Sequence, residues 1–100
     1  MGKKVSKREL RELEKEGKAL RALVEEHADG EMLVADGLDA AIIGISEGVC
    51  EPVVVYSYDK CIEIFRVRDG MTEEEALEHM SFNVAGAYVG PRTPIFIRLL

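Results

Sequence analysis

No tryptophan occurs in this 100-residue chain, and only 6% of its residues are aromatic. There are two cysteines, Cys50 and Cys61, too few for a disulfide framework. The basic start MGKKVSKREL is not followed by the apolar core of a secretion signal, so reduced thiols in a cytoplasmic protein are expected. No run approaches the roughly 18 consecutive apolar residues of a membrane span, and none is expected. Gly2 with Ser6 matches the myristoylation pattern in register, but that pattern is short and often met by chance.

The catalytic and phosphate-binding signatures are missing too. Gly44 and Gly48 do not make a GxGxxG loop, and there is no GxxxxGK[ST]. No Gly-x-Ser-x-Gly elbow exists and no Ser/His/Asp order is suggested. The expected role is therefore non-enzymatic, with no cofactor.

What is present is an ordinary globular composition, 47% hydrophobic and 32% charged, in about one domain's length of chain. The formal net charge is −6 and it is unevenly placed. Residues 1–30 hold eight Lys/Arg against seven Asp/Glu, and residues 31–100 hold five against twelve. An acidic body repels nucleic-acid phosphates, so no nucleic acid is expected as partner; the charge fits a basic protein partner or simply solubility.

Ser6 and Glu9 form a capping box that starts a helix near Lys7. Leu10, Leu13, Leu20, Leu23 and Val24 fall on one helical stripe, with Gly17 inside it, and Asp29-Gly30 ends the helix. Gly17 marks either a close crossing or a weak spot, since it costs about 1 kcal/mol against Ala in a helix interior. Met32 to Ala35 could form a short strand before an Asp36-Gly37 turn. The apolar runs 40–45 and 52–56 read as buried strands joined by a hairpin loop at 47–51. Asp59 is the expected N-cap of a helix through Arg68, stopped by Asp69-Gly70. Thr72 and Glu75 make a second capping box, opening a helix whose apolar face is Ala76, Leu77, Met80, Val84, Ala87 and Tyr88. Gly90-Pro91 stops it, and Pro94 opens a last strand, 95–99.

These elements predict an α+β fold: a sheet of three or four strands with helices on one face. If strands 52–57 and 95–99 are parallel neighbours, the two-helix connection between them should cross over right-handed. The charged helix of residues 1–30 precedes the α+β domain of 31–100. Its narrow leucine stripe could pair with a second copy, giving a homo-oligomer.

Four constellations could carry chemistry. Cys61, early in its helix, is either a thiolate activated by the helix N-terminus or a small buried hydrophobe. His79 and Asn83 are one turn apart, with Glu75 one turn before and Gly86 after; a carboxylate, imidazole and amide in line could orient a ligand or share a proton. Gly86 alternatively lets the helix approach the sheet. Asp36 and Asp39 flank one turn, but supply too few oxygens for a cation, so no metal is expected. Tyr56, Tyr58 and Asp59 lie where a strand gives way to a helix, the edge at which open sheets bind ligands. Strand alternation would put both tyrosines on one face, either as an aromatic wall for a flat ligand or partner, or as a strand-end pair packing on the helices.

Several blocks together resemble a family of small uncharacterised proteins encoded in tailed bacteriophage and prophage genomes. They are Asp36-Gly37-Leu38-Asp39-Ala40-Ala41-Ile42-Ile43-Gly44, Val54-Val55-Tyr56-Ser57-Tyr58-Asp59-Lys60-Cys61-Ile62-Glu63-Ile64, Met71-Thr72-Glu73-Glu74-Glu75-Ala76, and Phe82-Asn83-Val84-Ala85-Gly86-Ala87-Tyr88-Val89-Gly90 with Thr93-Pro94-Ile95-Phe96. The charged helix at 7–27 departs from the shorter members of that family. The resemblance implies a cytoplasmic accessory protein and carries no known activity. The expected function is protein–protein contact with a host factor. The alternative is a small, nucleotide-like ligand held by Tyr56, Tyr58, Asp59, His79 and Asn83.

Overall fold

A computed structural model describes residues 7–27, 32–48 and 51–100. Gly2, Ser6, the Asp29-Gly30 stop and Cys50 lie outside the described residues. The fold is α+β: the described residues form three helices and a three-stranded mixed sheet in the order β1-β2-β3.

Helix α1 spans Lys7–His27. Its stripe is used within the chain: Val24 is buried in the core, and Leu13 and Leu20 pack against it. Gly17 is buried where α1 crosses a 3-10 turn, Asp39–Ala41. A Cβ there would stand 3.2 Å from the Asp39 Cβ and 3.3 Å from the Ala40 nitrogen, so the close crossing is real. Arg21 bridges to Asp39 across the same crossing at 3.4 Å.

Met32 to Ala35 form no strand. Their backbone is satisfied differently: the Ala35 N–H donates to the Tyr56 hydroxyl at 2.7 Å, and its carbonyl accepts from Leu38 in a turn. The run 40–45 is split. The 3-10 turn takes its first residues, and β1 is Ile42–Ile45, antiparallel to β2, Val54–Ser57. The register slips between Ile42 and Gly44, a bulge that leaves Ile43 unpaired and exposed. Beyond the strands, Ser46 binds Val53 twice, accepting the Val53 N–H on its Oγ and donating its own N–H to the Val53 carbonyl.

Helix α2, Tyr58–Asp69, follows β2 with no loop. The cap is Ser57, whose Oγ accepts from the Lys60 N–H at 3.2 Å, not Asp59 as expected. Gly70, at φ +68°, closes the helix in the left-handed region that favours glycine. Helix α3, Glu73–His79, opens on the expected capping box: the Glu75 N–H donates to Thr72 Oγ1 and the Thr72 N–H to Glu75 Oε1.

The expected continuation of α3 to Tyr88 does not occur. Met80–Val84 form a single π turn, with Ala85 N–H bonded to the Met80 carbonyl at 2.7 Å, and Ala85-Gly86 turn the chain away. Met80 is wholly buried and is the last deep anchor of this segment. Past it Val84 is only partly buried against the core, and Tyr88 is exposed. Gly86 is exposed as well and does not bring the helix onto the sheet. Strand β3, Ile95–Ile97, is shorter than expected and runs parallel to β2, pairing Tyr56 with Phe96.

Ile42, Val54 and Tyr56 present one sheet face to Val24, Leu38, Cys61, Phe65, Ala76 and Met80. The opposite face leaves Ile43, Ile95 and Ile97 partly in solvent. No helix of the described residues is long and apolar enough to cross a membrane.

Candidate functional site

Of the five residues singled out in the sequence, Tyr56 is wholly buried, Asp59 is exposed, and His79 and Asn83 are in contact. Tyr56 has no exposed surface: its ring stacks on Phe96 with centroids 5.2 Å apart, and its hydroxyl is taken by Ala35. Burial pushes its phenol up to about 12, so it stays neutral. Tyr58 is half-buried and begins α2, with the Arg98 guanidinium 4.7 Å over its ring. The shared face required a strand running through residue 58. The helix starts there instead, and the alternation fails. Asp59 is exposed in the first turn of α2.

Cys61 is wholly buried, and desolvation pushes its thiol up to about 12. The position near a helix start does not offset that burial, so at neutral pH Cys61 is a thiol and a small core residue. Asp39 is committed to Arg21. Among the described residues no group of three or more His, Cys, Asp or Glu stands close enough to hold a metal ion.

His79 and Asn83 are brought together, with Asn83 Nδ2 3.3 Å from His79 Nδ1. The imidazole is half-buried, edge-on to Phe65 at 4.7 Å. Glu75 does not complete a relay. Its carboxylate caps the Thr72 amide, which holds its pKa below the usual range.

Sequence reasoning missed the surface beside this pair. Phe82 is 82% exposed, Tyr88 77% and Val89 62%, and Leu77 is also exposed. The π turn places residues four to five apart along one side, so Glu74, Leu77, Glu78 and Phe82 share the outward side of the helix. Isolated exposed apolar residues are normal; here four fall within thirteen positions, two of them aromatic. Behind it the platform is firmly held by Ala76 and Met80 in the core, by the capping box, and by Phe65 against His79. One signal was legible: the apolar pattern from Ala76 to Tyr88 runs longer than a chain with so small a core can bury.

A concavity of about 510 Å³ lies between the C-terminal half of α1 and β1. Leu20, Leu23, Val24, Met32 and Ile42 line it, and His27, Glu47 and Arg92 are its polar members.

Comparison with protein-family models, curated proteins and solved structures returns no match for this chain.

Proposed function

We propose that this chain is a non-catalytic binding protein of the accessory kind that phages encode, acting by protein–protein contact with a host factor. The contact surface is the outward side of α3 together with the segment that follows it. The observation that carries this reading is Phe82, a large aromatic side chain held almost fully in water on a helix anchored from behind. Burying such a ring against a partner is worth about 1.5–3 kcal/mol, and aromatic anchors on rigid elements dominate protein interfaces. The sites that would suggest chemistry support this as well. Cys61 is a buried thiol, and Glu75 is spent on a cap.

Affinity capture from a lysate of the encoding organism's host tests the reading, using the wild-type chain and Phe82→Asp side by side. Because the Phe82 ring lies outside the core, the variant should keep the wild-type circular dichroism and melting temperature. The expected result is a host protein retained by the wild type and lost with Phe82→Asp. The same proteins on both columns, or none on either, contradict it.

A second reading, small-molecule binding, is supported by the groove between α1 and β1, whose volume falls in the roughly 300–1,000 Å³ range of ligand sites. Its lining favours an apolar occupant over a nucleotide. Native mass spectrometry of the chain purified from its own host checks this, a retained small molecule being the expected result.

A further inference from the structure

We infer that the partner of the α3 surface is a basic protein, which docks an apolar anchor against Phe82 and sets lysine or arginine side chains over Glu74 and Glu78. This rests on the binding reading above and specifies the chemistry of the partner.

The first observation is the charge of the surface. No Lys or Arg occurs between Arg68 and Arg92, while Asp69, Glu73, Glu74, Glu75 and Glu78 all fall in that stretch. The second is that these charges are not consumed by the fold. Elsewhere Glu12, Glu16, Glu25, Asp39, Glu51 and Glu63 each face a cation within 4 Å. Asp69 is held by Arg68 and Glu75 by Thr72. Among the described residues Glu73, Glu74 and Glu78 have no such partner, and all three are exposed.

The helix dipole accounts for Glu73 and Glu74, which sit in the first turn. It does not account for Glu78. That residue stands mid-way along the helical stretch, four residues after Glu74, and like charges at that spacing destabilise a helix. The pair therefore works against the fold that carries it, on the side that exposes Leu77 and Phe82. A cationic partner relieves the repulsion and covers the aromatic ring in one contact. The same sign of charge turns away nucleic acid and anionic membrane surfaces.

The test is affinity capture by four full-length chains: wild type, Phe82→Asp, Glu74→Lys/Glu78→Lys, and Glu14→Lys/Glu26→Lys. The last makes the same charge change on exposed positions of α1. Retention of whichever protein depends on Phe82 is quantified by mass spectrometry at about 0.1 and about 1 M NaCl, over which the screening length falls from roughly 10 to 3 Å. The expected result is at least a tenfold loss with Glu74→Lys/Glu78→Lys, none with the α1 control, and a similar loss at high salt. The captured protein should carry a net positive charge or a Lys/Arg-rich segment. If a Phe82-dependent protein still binds Glu74→Lys/Glu78→Lys undiminished, or ignores salt, the basic partner is wrong and the docking surface stands. If no protein depends on Phe82, both fall.

Discussion

Replacing Tyr56 by Phe removes one oxygen from the centre of the fold. The ring can keep its place between β1 and β3, stacked on Phe96 at 5.2 Å, because only the hydroxyl is lost. That hydroxyl accepts the Ala35 N–H at 2.7 Å, and the connection between α1 and β1 is pinned to the sheet through it. An amide left without a partner in the interior costs about 1–3 kcal/mol. Ala35 is only half-buried, so water can partly replace the hydroxyl, and about 1.5 kcal/mol is the working figure. For a domain of this size each kcal/mol moves the midpoint by about 4–8 °C, which puts Tyr56→Phe some 6–12 °C below wild type. Tyr56→Ala, which also empties the ring's volume, should cost about 3–5 kcal/mol. Thermal and urea unfolding followed by circular dichroism measure both. A Tyr56→Phe chain within about 0.5 kcal/mol of wild type would refute the reasoning, since the Ala35 amide would then be satisfied by water alone.

Two further perturbations follow from the packing. Folding raises the Cys61 thiol from an ordinary 9.0 to about 12 and the Tyr56 phenol from 10.0 to about 12. Both raised values favour the protonated folded state, so their contribution is complete below pH 9 and is lost as pH climbs toward 12. The unfolding free energy from urea titrations should be flat from pH 7 to about 8.5 and fall above 9, by on the order of 1 kcal/mol per pH unit, and Cys61→Ala should remove the first part of that fall. At the α1 crossing, Gly17→Ala sets about 1 kcal/mol of helix propensity against contacts at 3.2 and 3.3 Å, so it should be nearly neutral, whereas Gly17→Leu should destabilise by about 1–3 kcal/mol. Chemical denaturation of the pair checks this, and a Gly17→Leu chain as stable as wild type would remove the close crossing from the account.

Signals that are local were legible in the sequence. The Thr72/Glu75 capping box and the Gly70 stop are complete within a few residues and stand as read. The long span of α1 followed from periodicity, and Gly17, out of place in it, stood for either a close crossing or a weak spot, of which the crossing is found. Features that depend on distant partners were not legible. Ser57 displaces Asp59 as cap because β2 passes into α2 without a loop, and the same junction separates Tyr56 from Tyr58. Met32 to Ala35 have a strand's composition, but the Tyr56 hydroxyl claims an amide there that a ladder would need. The π turn after His79 is set by where Met80 reaches the core, and that turn exposes Phe82. Of the nominated site residues, His79 and Asn83 meet, beside the surface that sequence reasoning overlooked.

The central claim is that the outward side of α3 is where this protein meets its partner. The most direct measurement places a photo-crosslinking phenylalanine analogue at position 82 of the full chain in host cells, with the same analogue at the exposed position 18 of α1 as control. The account predicts a discrete protein adduct from position 82 and none of that mass from position 18. No adduct at 82, or the same adducts from both positions, would contradict it.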